Sequence, residues 1–327
     1  MFAVVLHEFG PAENLRYESV TDPKPGPGQV RIAVRAAGVH LLDASLRSGR
    51  SGGPGPAPTL PMIGGREVAG VVDEVGADVD ASWRGRRVVA HLGMLGAGYA
   101  ELTVVDVGSL HLLPDGVDDA AAVAMIGTGR TAFAILEQAA LSADDVVLVT
   151  SAAGGLGVLL VQAALDAGAI VVAAAGGSEK VERVRQLGAT IAVDYDHPDW
   201  AAEVRRRLEG RPVSVVLDAV GGTRGRSALE LLGVDGRYLV YGFSSGQPTP
   251  LAVSDLIGLG ITASAVIGAR LFRRPGGLRD LELAALAALA QGQLVPLLTQ
   301  FPLAEAATAH AALENRQTVG KVVLIPG

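Results

Sequence analysis

The sequence predicts an α/β protein that joins a doubly wound parallel sheet to a β-rich domain. The chain of 327 residues is too long for one ordinary hydrophobic core. Short apolar runs between glycine and proline turns fill its first third, whereas apolar runs alternate with helical stretches further on. We therefore expect a β-rich domain over residues 1–118, completed by residues from about 266 to 327, and a parallel-sheet domain over residues 119–265.

The β-rich domain is indicated by short strands with turn residues between them. Residues 29–36 alternate between apolar and polar side chains, and residues 68–75 and 87–91 are further predicted strands. Prolines within residues 22–28 remove backbone donors, and the Gly/Pro-rich residues 48–58 predict a loop. This spacing of strands is typical of a barrel-like unit.

The second domain is indicated by buried strands that alternate with helices. The predicted strands cover residues 145–150, 170–175, 191–194, 213–217 and 238–241. Such βαβ units form a parallel, doubly wound sheet. Residues 261–267 predict an exposed edge strand, and residues 321–325 a closing strand that rejoins the first domain.

Composition limits the possible partners and locations. The formal net charge of -7 repels nucleic acids and anionic membranes. The absence of cysteine excludes disulfides and thiolate metal sites. The first residues lack the basic and apolar regions of a signal peptide, and no uninterrupted apolar run reaches roughly 18–20 residues. We therefore expect a cytoplasmic protein without nucleic-acid or membrane partners.

A glycine-rich turn after the strand of residues 145–150 predicts a dinucleotide site. Its spacing, Ala152-x-Gly154-x-x-Gly157, matches the dinucleotide fingerprint with alanine at the first glycine position. Gly154 lets the backbone approach a pyrophosphate, and Gly157 lets the following helix pack closely. The free N–H groups at the start of that helix attract the anion.

The end of the next strand predicts NADPH as the cofactor. An NAD enzyme carries an acidic residue at the strand tip, whereas this strand ends in Ala175 and continues through Gly176 and Ser178 to Lys180. Small residues leave room for a 2′-phosphate, and a lysine neutralises it.

Together these and further motifs resemble the quinone oxidoreductase (zeta-crystallin-like) family of the medium-chain dehydrogenase/reductase superfamily. The motifs run in order along nearly the whole chain at residues 7–10, 37–39, 47–49, 98–101, 131–132, 152–157, 194–195, 217–222, 241–246 and 320–324. The resemblance implies a GroES-like N-terminal domain and a Rossmann domain, with NADPH in the cleft between them. It also implies a homodimer that joins two sheet edges.

The resemblance implies a set of cofactor-binding residues. The pyrophosphate is expected at Ala153, Gly154, Gly155, Leu156 and Gly157. The 2′-phosphate is expected at Gly176, Ser178, Lys180 and Tyr195. The nicotinamide side is expected at Thr131, Val220, Gly242, Phe243 and Ser244, and Arg316 is expected to turn back to a cofactor phosphate.

No metal is expected. Zinc-dependent relatives carry a Gly-His-Glu segment, and here the corresponding residues are Gly65, Arg66 and Glu67. A guanidinium is permanently charged and cannot bind zinc. Hydride transfer without a Lewis acid suits a quinone or a related conjugated carbonyl.

His40 is the candidate catalytic residue, at a position where family members usually carry asparagine. It could donate a hydrogen bond or a proton near neutral pH, or be an ordinary loop histidine. Asp43 and Arg47 predict a local ion pair on a short helix. The alternatives to a quinone reductase are an enoyl or alkenal reductase and an NADPH-binding protein with little catalysis.

Overall fold

The computed structural model describes residues 1–50, 59–93 and 96–327, so most of the loop predicted at residues 48–58 lies outside it. The chain forms two compact units. The first contains residues 1–128 and 285–327, and the second contains residues 129–284. Each unit has its own sheet system.

The described residues form strands and helices in the following order. The strands are β1 (Phe2–Leu6), β2 (Leu15–Ser19), β3 (Gln29–Val39), β4 (Met62–Ile63), β5 (Glu67–Val75), β6 (Arg87–His91), β7 (Leu102–Asp106), β8 (Leu110–Leu112), β9 (Val146–Thr150), β10 (Ile170–Ala175), β11 (Ile191–Asp194), β12 (Val213–Asp218), β13 (Leu232–Val240), β14 (Thr262–Ala265), β15 (Leu298–Pro302) and β16 (Lys321–Ile325). The α-helices are α1 (Leu41–Arg47), α2 (Asp119–Ala124), α3 (Arg130–Ala139), α4 (Gly155–Asp166), α5 (Ser178–Gln186), α6 (Trp200–Arg207), α7 (Gly222–Leu229), α8 (Val253–Leu259), α9 (Ala269–Phe272), α10 (Arg279–Ala290) and α11 (Ala306–Glu314).

The first unit is β-rich, as the sequence predicts. Its larger sheet has the order β15-β16-β3-β5-β6-β8, with β7 also paired to β3, and its smaller sheet has the order β2-β1-β4. The C-terminal strand β16 pairs antiparallel with β3, which confirms that the end of the chain rejoins the N-terminal domain. Buried valine, leucine and isoleucine side chains fill the space behind these strands.

The first unit continues to residue 128 rather than 118, because α2 packs against β3, β5 and β6 of this unit. Its C-terminal part begins at residue 285 rather than 266. Residues 266–284 belong to the second unit, where Arg274 pairs with Glu137 of α3 at 2.7 Å and Glu282 pairs with Arg130 at 2.9 Å.

The second unit contains a parallel sheet in the order β11-β10-β9-β12-β13-β14. Counted from β9, this is the strand order 3-2-1-4-5-6 of a doubly wound fold, and its direction reverses between β9 and β12. Strands β9 to β12 are almost completely buried because helices cover a parallel sheet on both faces, whereas β13 is partly exposed and β14 is mostly exposed or half-buried. β14 lies at the edge, which confirms the predicted edge strand.

A buried carboxylate fastens the carboxyl ends of three strands in this sheet. Asp218, at the end of β12, is fully buried and accepts the hydroxyl of Thr150 from β9 at 2.8 Å. It also accepts hydrogen bonds from the hydroxyl of Tyr238, on β13, at 2.6 Å and from the hydroxyl of Thr249 at 2.9 Å. The backbone N–H of Val220 donates to it at 2.9 Å. These bonds compensate the cost of burying the charge and hold the loops after the strands.

One continuous helical stretch, Asp119–Ala139, is long and apolar enough by composition to cross a membrane. Within its most apolar window 67% of the residues are buried in the protein itself. The core helix of a globular protein has the same properties.

Candidate cofactor and catalytic sites

Most predicted cofactor residues lie at the carboxyl ends of the strands of the parallel sheet in the second unit. They directly follow the carboxyl ends of consecutive strands: residues 153–157 follow β9, residues 176–180 follow β10, Tyr195 follows β11, Val220 follows β12, and residues 242–244 follow β13. In open α/β sheets ligands bind beside these strand ends, at the point where the strand order reverses. Here that point lies between β9 and β12.

The glycine-rich turn after β9 has the geometry that the fingerprint predicts. Gly154 caps α4, so the first turn of that helix presents N–H groups without intrahelical acceptors. A Cβ atom on Gly157 would lie 2.2 Å from the carbonyl oxygen of Ser151, so only glycine allows this close approach of helix and turn. Ser151 itself adopts a left-handed backbone with φ 51°. The turn therefore fits a pyrophosphate.

The loop after β10 packs closely against the residues that follow β11. Gly176 has the side chains of Asp196 and Tyr195 so close that an added Cβ would lie 2.6 Å and 3.0 Å from them. Lys180 lies in the first turns of α5, which begins at Ser178. An acidic side chain, Asp196, is thus near the expected 2′-phosphate, but it pairs with Arg224 at 2.5 Å.

Arg224 is a residue that sequence patterns did not indicate. Its guanidinium lies over the ring of Tyr195, 5.2 Å from the centroid. It comes from α7, far along the chain from the loop it faces, so only the folded sheet brings the two together. Arginine stacked on tyrosine adds a second positive group to this end of the site.

The predicted nicotinamide-side residues have different environments. Val220 is buried and its N–H is bound to Asp218, whereas the side chain of Phe243 is 58% exposed. Ser244 donates its N–H to the carbonyl of Ala219 at 2.9 Å, which ties the loop after β13 to the loop after β12. Thr131 lies on α3 in the same unit.

His40 lies in the first unit, directly after β3, in contact with two buried charges. Its Nε2 is 2.6 Å from Oε1 of Glu67 and 2.8 Å from Nζ of Lys321. Lys321 Nζ is also 2.8 Å from Oε2 of Glu67. Burial alone would raise the pKa of Glu67, but the charges of His40 and Lys321 outweigh it and hold that pKa well below its usual range.

A second buried network surrounds Asp43. Its carboxylate accepts hydrogen bonds from the backbone N–H of His40 at 2.7 Å and from the hydroxyl of Tyr99 at 3.2 Å. It also pairs with Nε of Arg66 at 3.3 Å. His310 Nε2 lies 3.2 Å from the same Tyr99 hydroxyl. Burial and the Asp43 charge raise the pKa of Tyr99 well above its usual value, so its proton stays in place.

The predicted ion pair between Asp43 and Arg47 is wrong, although both lie on the predicted short helix, α1. Asp43 pairs with Arg66, and Arg47 pairs with Glu314 of α11 at 2.8 Å. Packing of α1 against α11 buries Arg47 and places it beside the carboxylate of Glu314, the last residue of α11.

Arg316 also lies in the first unit, after α11, with a left-handed backbone at φ 59°. The carboxyl ends of the strands in the second unit therefore gather all the predicted cofactor residues except Thr131, which lies on α3 of that unit, and Arg316. The first unit holds Arg316 and His40. The partners of His40 were missed from the sequence. Glu67 was visible beside Arg66, and Lys321 was visible as one of three lysines, but no pattern links them to residue 40.

Comparison with known proteins matches both units. Residues 26–115 match the family described as alcohol dehydrogenase GroES-like domain, and residues 155–281 match the family described as zinc-binding dehydrogenase. A 2-haloacrylate reductase of a Burkholderia species is 33% identical, with 100% of this chain and 99% of the relative covered. A quinone oxidoreductase of Pseudomonas aeruginosa is 34% identical, with 97% of each chain covered. The structure of Escherichia coli quinone oxidoreductase complexed with NADPH superposes with a TM-score of 0.87 at 26% identity over 100% of both chains.

The residues present do not fit the zinc that one family description names. The chain has no cysteine, and the described residues bring together no group of three or more His, Asp or Glu side chains suited to a metal. Arg66 and the ammonium of Lys321 lie next to the candidate ligands Asp43, Glu67 and His40. Two fixed cations there oppose a third positive charge.

Burial of His310 predicts a pH-dependent stability. Burial, opposed by Asp43, lowers its pKa from 6.5 to about 4, so the folded protein binds the proton less readily than the unfolded chain. Stability is therefore fully present above about pH 6.5 and falls by roughly 3 kcal/mol as the pH drops to about 4. Denaturant unfolding at a series of pH values measures this.

His310→Gln, which cannot titrate, is expected to flatten that part of the profile. His7→Gln removes an exposed histidine and serves as the control that keeps the slope. Parallel profiles for wild type and His310→Gln would contradict the assignment.

Proposed function

Because the chain belongs to the quinone oxidoreductase family of the medium-chain dehydrogenases/reductases, we propose that it is an NADPH-dependent, zinc-independent oxidoreductase that transfers hydride to a quinone or a related conjugated carbonyl. The observation that carries the proposal is the glycine-rich turn that opens α4 beside the reversal of strand order. That arrangement suits the pyrophosphate of a dinucleotide.

NADPH is favoured over NADH by the chemistry after β10. The strand tip carries Ala175 instead of an acid, Lys180 follows in α5, and Asp196 is neutralised by Arg224. These three features favour an additional phosphate on the ribose. A relative with the same fold has been crystallised with NADPH.

The proposed acceptor follows from what the chain offers to a reacting molecule. NADPH, when bound, supplies the hydride, and this chain would position the acceptor and its developing negative charge. A conjugated acceptor spreads that charge over an enolate or phenolate, so hydrogen bonds and positioning replace a Lewis acid. The names of two relatives point to a quinone and to a haloacrylate, and both are conjugated acceptors.

We also propose the site residues and the assembly. The cofactor would contact the residues named above at the carboxyl ends of the strands, together with Thr131 and Arg316, and His40 would face the acceptor. Two copies would pair through β14, whose outer edge has no neighbouring strand among the described residues. Exposed apolar side chains of the same unit, Val253, Ile257 and Ile267, support an interface. The cytoplasm remains the predicted location.

Lys180→Ala tests the cofactor choice. Loss of a charge-assisted contact costs ~1.5–3 kcal/mol, so NADPH is expected to bind roughly tenfold to a hundredfold more weakly, whereas NADH binding hardly changes. Titration of protein fluorescence with each cofactor measures both constants. Lys24→Ala changes a lysine of the other unit and is the control. Equal losses for the two cofactors would show that Lys180 does not contact the 2′-phosphate.

A panel of acceptors tests the reaction. With NADPH consumption followed optically, turnover is expected with quinones or other conjugated carbonyls, and it is expected to survive chelator treatment because no zinc takes part. Elemental analysis should find no stoichiometric zinc. NADPH binding without turnover on any acceptor would instead favour a binding protein.

Ala265→Pro tests the assembly. The N–H of Val266 donates to Val240 of β13, so in an extended strand the N–H of Ala265 faces away from the sheet. Proline at 265 removes an outward donor and is expected to convert dimers into monomers or aggregates in sedimentation experiments. Ser264→Ala keeps every backbone donor and is the control. A wild-type monomer at micromolar concentration would refute the dimer.

A further inference from the structure

His40, Glu67 and Lys321, which we call the His40 cluster, meet because of strand register. β16, β3 and β5 are neighbours in the larger sheet of the first unit. Lys321 opens β16, Glu67 opens β5, and His40 directly follows β3. The three side chains therefore converge at one edge of that sheet, although they are far apart in the sequence.

The carboxylate of Glu67 is held in a tight cradle of two glycines. A Cβ atom on Gly127 would lie 1.6 Å from Oε1, and one on Gly38 would lie 2.4 Å from Oε2. Glu67 is fully buried, and each of its oxygens lies close to a nitrogen: Oε1 is 2.6 Å from Nε2 of His40, and Oε2 is 2.8 Å from Nζ of Lys321. The two contacts therefore fix both the position and the charge compensation of this carboxylate.

The geometry distinguishes the two nitrogens of His40. Nε2 is held between Glu67 and Lys321, whose side chains are 0% and 4% exposed. The His40 side chain as a whole is 22% exposed, although its Nε2 contacts these two buried groups. A carboxylate that holds one imidazole nitrogen fixes the tautomer and leaves the other nitrogen for proton transfer.

A single nitrogen cannot serve both neighbours in the same way. In the ring plane Nε2 offers either a hydrogen to Glu67 or a lone pair to Lys321. The contact to Glu67 at 2.6 Å is the shorter of the two, and Lys321 has the other carboxylate oxygen at 2.8 Å as its own acceptor. When Nε2–H of His40 donates to Oε1 of Glu67 and Lys321 donates to Oε2, one carboxylate accepts from both neighbours.

We propose that Glu67 and Lys321 are positioning residues that orient His40 as the proton donor of the reduction, with Nε2–H held by Glu67 and Nδ1 facing the acceptor. This rests on the proposed function. NADPH, when bound, would supply the hydride, and the reduced acceptor would be an enolate or phenolate. The Nδ1–H bond of protonated His40 then breaks, the proton forms the new O–H or C–H bond, and neutral His40 regains a proton from water.

Other charged or ionisable groups near the His40 cluster also influence the pKa values of its members. His91 of β6 acts on Glu67, and Asp43 and Arg66 act on Lys321. Burial lowers the pKa of Lys321, whereas Glu67 opposes that effect. Glu67 thus stays ionised between two cations, which is the state in which it accepts Nε2–H.

The first test measures the tautomer without cofactor or acceptor. Nitrogen-15 NMR resolves the six histidines, and His40 is assigned from the spectrum of His40→Asn. We expect neutral His40 to carry its hydrogen on Nε2 in the wild type and to lose that preference in Glu67→Gln/Lys321→Met, which removes one charge of each sign. An Nδ1–H form in the wild type would overturn the proposal.

A matched control is available in the first unit. His7 and Glu18 form a histidine–carboxylate pair at 2.9 Å that is exposed rather than buried. Glu18→Gln is therefore expected to leave both the His40 signals and turnover unchanged. Circular dichroism and thermal unfolding establish that each variant is folded before it is compared.

The second test uses acceptors whose reduced anions differ in basicity. For strongly basic anions His40→Asn is expected to lower kcat by about a hundredfold, and Glu67→Gln/Lys321→Met by about tenfold. For weakly basic anions both losses should shrink, because such anions need less help from a general acid. Equal losses across all acceptors would show a structural role and overturn the proposal.

NADPH affinity separates this proposal from the function on which it rests. His40→Asn is expected to bind NADPH as the wild type does, so a loss confined to kcat supports proton donation. If the wild type neither binds NADPH nor reduces any acceptor, the proposed function fails, whereas the tautomer experiment still decides whether Glu67 orients His40.

Discussion

Burial of a carboxylate is the constraint on which each unit of this protein depends. A carboxylate removed from water must be compensated by hydrogen bonds or by opposite charge, or it destabilises the fold. Asp218 in the second unit and Glu67 in the first are both fully buried. Asp218 is the last residue of β12 and Glu67 is the first residue of β5, and each lies beside residues of a candidate site. The groups that compensate the charge therefore also hold the backbone of that candidate site.

The two carboxylates are compensated in different ways, and the difference matches their surroundings. Asp218 is satisfied by neutral hydroxyl and backbone donors from β9, β13 and the loops beside them. These neutral donors do not change their charge, and they hold the strand ends beside the candidate cofactor residues. Glu67 instead lies 2.6 Å from His40 and 2.8 Å from Lys321, two ionisable side chains. A charge compensated by titratable groups suits proton transfer, whereas one compensated by hydroxyls suits positioning.

The positive groups near the two sites follow the same logic. Arg224 pairs with Asp196 and lies over the ring of Tyr195. Because Arg224 offsets the charge of Asp196, the charge of Lys180 remains available for the proposed 2′-phosphate. In the first unit Arg66 pairs with Asp43, which also accepts hydrogen bonds from the backbone N–H of His40 and the hydroxyl of Tyr99. Arginine at position 66 thus fills a structural role where zinc-dependent relatives carry a metal ligand.

Local patterns in the sequence determined the fold class, the strand–turn–helix at Gly154 to Gly157, the loop chemistry near Lys180, and the return of β16 to the first domain. These depend on apolar periodicity and on glycine positions, which act over a few residues. Only the tertiary structure decided that Arg47 pairs with Glu314 rather than Asp43, that Arg224 faces Tyr195, and that Glu67 and Lys321 hold His40. These contacts join distant segments through strand register and helix packing. A sequence pattern records which residue types are present, whereas the partners of a buried charge are set by which strands become neighbours.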